Sequence, residues 1–156
     1  MKAANPYLNF KGNTEEAFNF YKSVFGGELL GVARFRDFAD NSMGVAEADL
    51  DKIAHIALPL GPHNLLMATD YVDSMPFPFV AGNNFSITID TDSAEEAERL
   101  FNALAAGGEP GMPLQKTEWA ELYGHLTDKF GVQWMVNYTG SVEFASASSA
   151  SGTSAA

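Results

Sequence analysis

Asn13-Thr14-Glu15-Glu16-Ala17-Phe18-Asn19-Phe20-Tyr21-Lys22-Ser23-Val24-Phe25-Gly26-Gly27-Glu28 has a second copy. It returns as Ser93-Ala94-Glu95-Glu96-Ala97-Glu98-Arg99-Leu100-Phe101-Asn102-Ala103-Leu104-Ala105-Ala106-Gly107-Gly108-Glu109, offset by 80 residues at the start and 81 at the glycines. Each copy reads as a capped amphipathic helix closed by Gly-Gly. Each follows a strand-like run, Pro6–Phe10 before the first and Phe85–Ile89 before the second. A long period with matched cap, apolar face and stop marks a duplicated structural unit.

Within the first copy, Asn13 stands at the expected N-cap with Glu16 three residues on. Ser93 with Glu96 is the stronger capping box, because that motif wants Ser or Thr. Early acids in both helices suit the positive end of the helix dipole. Ala17, Phe20, Tyr21, Val24 and Phe25 share one stripe, and Ala97, Leu100, Phe101, Leu104 and Ala105 repeat it. Gly-Gly then supplies the left-handed backbone that stops a helix.

Working outward, three strands are expected after the first helix: Glu28–Phe35, Ile53–Leu60 and Leu65–Tyr71. Three follow the second: Leu114–Ala120, Leu122–Asp128 and Gln133–Thr139. Segment Asp37–Asp51 reads as a polar loop, with Asp70 and Asp73 as solvated acids. The predicted fold class is α+β: two tandem βαβββ modules whose curved mixed sheets form a cup or half-barrel. The first module spans residues 1–74 and the second 83–139. Residues 75–82 form a linker in which Met75–Phe79 could also act as a lid, and 140–156 form a disordered Ser/Ala-rich tail.

Composition narrows the function classes. With 156 residues, 46% hydrophobic and 12% aromatic, the chain can bury a sizeable core. A formal charge of −11 and no basic cluster argue against nucleic acid or an anionic membrane as partner. No apolar run is long enough to span a bilayer. The absence of cysteine excludes disulfides and thiolate chemistry. No leader pattern is read at Met1–Pro6, so a cytoplasmic location is the expectation.

Alternation points to a cavity. In the fifth expected strand, Phe85, Ile87 and Ile89 face the helix, while Asn84, Ser86 and Thr88 face away. In the last strand, Trp134, Val136 and Tyr138 oppose Gln133, Met135 and Asn137. Polar-lined concave sheet faces are where ligands bind.

The phrases Tyr7-Leu8-Asn9-Phe10…Gly12-Asn13…Glu16-Ala17…Phe20-Tyr21…Phe25-Gly26-Gly27-Glu28 and Asp128-Lys129-Phe130-Gly131-Val132-Gln133-Trp134 resemble the vicinal oxygen chelate superfamily. That superfamily includes glyoxalase I, extradiol dioxygenases and bleomycin-resistance proteins. The PhnB-like branch is the most similar. The resemblance covers about residues 5 to 139 and implies paired βαβββ modules and a homodimer. Some relatives carry a ubiquinone-type methyltransferase label, but no Gly-x-Gly loop follows a strand here. Metal-dependent relatives hold a divalent ion with His, Glu or Gln from four strands. Carried over by spacing, those positions fall on Pro6, Met67, Asn84 and Met135. Proline offers no donor, and thioether sulfur suits Mg, Mn, Ni or Fe(II) poorly.

The candidate ligand pocket therefore comprises His55, Met67, Asn84, Ser86, Trp119, Tyr123, His125, Met135 and Asn137. His55 is either a cavity-facing base or anchor, or a structural histidine. Tyr123, His125 and Trp119 make either a stacking wall or a packing and dimer contact. Met67 and Met135 floor an apolar pocket or fill a closed one. No cofactor is expected, and a divalent metal only at a non-standard site. The leading function is a metal-free domain binding a small, partly apolar molecule. The alternatives are a lyase, isomerase or dioxygenase with a displaced metal, and a structural dimerisation module.

Overall fold

Helix α1 (Thr14–Phe25) turns Thr14, Ala17, Phe18, Tyr21 and Val24 inward. In the computed structural model, which describes residues 1–143, Phe18 and Tyr21 are fully buried. Phe20 and Phe25, expected on that stripe, are only half-buried. The buried arc is centred one position earlier because Thr14 and Phe18 also face the sheet. Most of the expected tail, residues 144–156, lies outside the described residues.

The chain divides into two units, Met1–Ile87 and one beginning at Thr88. The first holds β1 (Tyr7–Phe10), α1, β2 (Leu30–Arg34), β3 (Ile53–Leu60) and β4 (Asn64–Asp70). Its sheet order is β1-β4-β3-β2. β1 runs parallel to β4, and the other pairings are antiparallel. Ile56, Leu58, Leu66 and Ala68 are fully buried on the helix side. Each such large side chain contributes about 2 kcal/mol by leaving water.

α1 is not capped as its sequence suggests. Asn13 makes no side-chain cap. Instead Asp70, at the end of β4, accepts the Thr14 amide at 3.1 Å and its hydroxyl at 2.7 Å. The other Asp70 oxygen accepts the Ile53 amide at 2.8 Å. Asp70 is 2% exposed, so its reading as a solvated acid is corrected. The 37–51 loop is also more ordered than its polarity suggests. It carries short 3-10 turns at Phe35–Asp37 and Glu47–Asp49. Phe35, Val45 and Val72 form a small second core, with Leu50, Ala54 and Met75 against it. The 75–82 segment is anchored at its start: Met75 joins that core, and the Phe77 and Phe79 rings lie 6.3 and 5.6 Å from Tyr71.

The second sheet contains β5 (Ile87–Asp90), β6 (Glu109–Gln115), β7 (Leu122–Thr127) and β8 (Gln133–Tyr138), with α2 (Ala94–Ala105) between β5 and β6. Its order, β5-β8-β7-β6, repeats the first element for element. α2 buries Ala97, Leu100, Phe101 and Leu104, as its spacing predicts. Trp134 and Val136 are fully buried, and α2 packs on β8. Ser93 caps α2 by accepting the Glu96 amide at 3.1 Å. Gly26 and Gly107, both at φ 76°, provide the left-handed turns after the two helices.

Two strand assignments change. β6 lies at Glu109–Gln115 rather than 114–120, despite Pro110 and Pro113. It is an edge strand, where a missing amide donor breaks no ladder on the open side. Its register shifts on either side of Met112. β5 begins at Ile87, so Asn84 and Ser86 precede the strand, and Phe85 is 57% exposed rather than packed. At the other end, Gly140 and Ser141 form a turn, and Ser141 donates its amide and hydroxyl to Glu121. No helix among the described residues is long and apolar enough to cross a membrane.

Candidate functional site

Each sheet has one face on its helix and one face turned away, and strand pairing fixes what the second face carries. In the first unit, Met67 is opposite both Ala57 on β3 and Tyr7 on β1. Paired residues share a face, and so do residues two apart on one strand. Tyr7, His55, Ala57 and Met67 therefore line one side of the first sheet, with Leu30 and Ala33 of β2 beside them. Of this set His55 and Met67 are candidates from the sequence. Tyr7 is a residue the sequence reading missed. Its hydroxyl lies 3.2 Å from His55 Nδ1, and the two rings are 5.9 Å apart at 36°. The period-two pattern of β1, with Leu8 and Phe10 opposing Tyr7 and Asn9, was the available signal. Partial burial raises the Tyr7 phenol above the ordinary tyrosine value.

In the second unit, Met135 is opposite His125, Asn137 opposite Tyr123 and Gln133 opposite Thr127. Met112 and Gln115 of β6 pair with His125 and Tyr123. This face thus carries Tyr123, His125, Met135 and Asn137. Trp119, in the β6–β7 loop, sets its ring edge-on to Tyr123 at 5.3 Å and is 43% exposed. His125 Nε2 lies 3.2 Å from Gln133 Oε1. Thr88 Oγ1 donates toward Met135 Sδ at 3.6 Å. Asn137 donates from Nδ2 to Asp90 at 2.9 Å, while its buried Oδ1 has no partner among the described residues. Asn84 and Ser86 lie before β5 and join no strand.

A glycine on each edge strand lies against an imidazole, and only at Gly111 would a Cβ crowd the ring. A Cβ at Gly31 would sit 3.4 Å from His55 Cδ2, and one at Gly111 only 2.9 Å from His125 Nδ1. Both glycines lie where the edge strand shifts register. Such bulges let an edge strand yield to a neighbouring side chain.

The first unit also has a cavity of about 210 Å³ under its long loop, lined by Phe35, Phe38, Asn41, Ser42, Met43 and Val45. Asn41 is committed to the loop itself, bonding both backbone groups of Val45. None of the residues singled out from the sequence lines this cavity.

The four positions expected from the resemblance each offer a divalent ion a poor donor. Pro6 gives only its backbone carbonyl, which already accepts the Met67 amide at 3.1 Å. Met67 and Met135 offer soft sulfur, and Asn84 precedes its strand. Among the described residues no three of His, Cys, Asp or Glu gather closely enough to hold a metal.

Residues 2–137 match the family described as 3-demethylubiquinone-9 3-methyltransferase. The chain belongs to this family. It is 34% identical over 140 residues to Protein YjdN of Escherichia coli K12, spanning 85% of this chain and 92% of that one. Among solved structures it is similar to PA1353 of Pseudomonas aeruginosa at 44% identity, with TM-score 0.77 and coverage of 86% and 96%. The PhnB protein of Bacillus cereus follows at 27% identity and TM-score 0.67, covering 86% and 98%. The glyoxalase/bleomycin resistance/dioxygenase protein of Burkholderia phytofirmans shares the fold at 18% identity and TM-score 0.57, covering 86% and 97%. The PhnB-like resemblance and the two-module α+β fold are thereby shown.

Proposed function

We propose that this family member binds a small, partly apolar molecule on the sheet faces turned away from the helices, without a metal ion. The observation that carries the reading is the second sheet's open face. There an exposed indole meets a phenol edge to face, with a carboxamide opposite the phenol and a thioether opposite an imidazole. Aromatic rings and thioethers give a flat ligand contact area, and methionine adapts to its outline. A few convergent polar groups then fix orientation. Met67 on the first sheet and Met135 on the second each give their own face a soft, apolar contact that suits an organic ligand better than a hard divalent ion.

We assign no reaction. The family description names methyl transfer, and the chain has no Gly-x-Gly loop after a strand to support a methyl-donor site. The test is a fluorescence and thermal-shift titration of the full chain with one-ring aromatic compounds. Saturable quenching that disappears in Trp119→Phe is the expected result. Absence of quenching by every compound would sink the reading. Metal analysis of the purified protein separates it from a metal-dependent lyase, isomerase or dioxygenase, for which stoichiometric Ni, Fe, Mn or Zn is required.

A further inference from the structure

In the first unit, Tyr7 and His55 form a polar pair on a face otherwise made of Ala57, Met67, Leu30 and Ala33. We propose that this pair is the anchor for the carbonyl oxygen of a neutral ligand whose apolar part lies on Met67. The proposal deepens the binding reading above and rests on it.

β1 is held by backbone bonds, Met67 to Pro6 at 3.1 Å and Tyr71 to Phe10 at 2.6 Å. Tyr7 is 45% exposed, and its hydroxyl bonds only to His55 among the described residues. The phenol keeps its proton because desolvation disfavours the phenolate. In the proposed anchoring arrangement the phenol donates to His55 Nδ1 and the imidazole proton sits on Nε2. That Nε2–H has no partner among the described residues. Gly31 lies against the Cδ2–Nε2 edge, where a Cβ would come within 3.4 and 3.7 Å, and so leaves it clear.

A lone N–H donor beside a thioether selects an acceptor attached to an apolar body. An anion is disfavoured on this face, which carries no cationic side chain in a chain of net charge −11. The nearest guanidinium, Arg34, is already bonded to Glu15 and to the Asp51 carbonyl. His125 presents a different case, because Gln133 occupies its Nε2. The neutral carbonyl class is what remains for His55.

The experiment uses the full chain with 15N-labelled histidine, titrated with acetophenone and with ethylbenzene, which matches its bulk but has no acceptor. Acetophenone should shift the His55 Nε2 resonance saturably, and ethylbenzene should not. Tyr7→Phe removes the bond that keeps the proton on His55 Nε2, so it should weaken acetophenone by roughly fivefold and leave ethylbenzene unchanged. Equal His55 responses to both compounds, or a Tyr7→Phe variant with unchanged acetophenone affinity, would overturn the proposal. Trp119 quenching with a silent His55 would remove this anchor while keeping the binding reading. Silence at both residues would remove both. The wild-type titration decides the matter even if Tyr7→Phe folds poorly.

Discussion

Asp70 holds Thr14 from 56 residues away, accepting its hydroxyl at 2.7 Å and its amide at 3.1 Å in a site where both residues are buried. With the Ile53 amide on its other oxygen, this carboxylate ties the start of α1 to β3 and β4. Asp70→Ala would strand three buried donors, and the expected loss is about 3 kcal/mol. Asn13→Ala removes no cap bond and should cost less than about 0.5 kcal/mol. Ser93→Ala, which removes the cap of α2, should cost about 1 kcal/mol. Urea unfolding of the three variants checks the order. An Asn13→Ala loss as large as that of Ser93→Ala would contradict it.

That contrast shows what local sequence can and cannot reveal. The helices were legible because cap, stripe and Gly-Gly stop all lie within one short segment, and the duplication shows them twice. β3 is found at its expected limits because eight successive residues, Ile53–Leu60, suit a strand. Asp70 was illegible because its partner is distant in sequence, so only tertiary structure distinguishes a clamp from a solvated acid. β6 was misplaced because Pro110 and Pro113 signal a turn unless the strand is known to be an edge. Tyr123, His125 and Met135 were legible as one face by strand alternation. Tyr7 was not, because its hydroxyl matters only once β1 lies beside β4 and His55 comes within reach.

Asp128 performs a similar task in the second unit. One oxygen accepts the Phe130 and Val132 amides at 2.8 and 3.0 Å, and the other accepts the Trp134 indole N–H at 2.9 Å. Trp134 is fully buried, so its N–H has no access to water. Asp128→Ala should cost about 3 kcal/mol, and Asp128→Asn less, since one acceptor survives. In a Trp119→Phe background, where Trp134 is the only indole, Asp128→Ala should also change the fluorescence maximum. An unchanged spectrum and unfolding midpoint would refute this.

Gly111 sets the position of His125. A Cβ there would lie 2.9 Å from Nδ1 and 3.6 Å from the His125 carbonyl. Gly111→Ala must rotate the imidazole and disturb its 3.2 Å contact with Gln133. The expected cost is about 1–2 kcal/mol, as for other overpacked sites. The more telling readout is the His125 ring resonance, which should move in Gly111→Ala much as it does in Gln133→Leu. A His125 signal that is indifferent to Gly111→Ala would show that the ring is not seated against the edge strand.

The turn after β8 should be acid-sensitive. The Ser141 hydroxyl at 2.6 Å and its amide at 2.8 Å both donate to Glu121 Oε1. The hydroxyl first and the amide second hold the Glu121 carboxyl below its ordinary 4.5. A depressed folded-state value means that the contact contributes above 4.5 and is lost as pH falls through the lower folded value. On lowering the pH from about 5 to about 3, the range in which ordinary carboxyls titrate, the Ser141 amide resonance should move along a single titration curve. Its midpoint should lie below that of unpaired glutamates. Glu121→Gln retains the acceptor and removes the charge, so its Ser141 amide should hold still over the same range. A midpoint at the ordinary glutamate value would show that Ser141 does not hold Glu121 in solution.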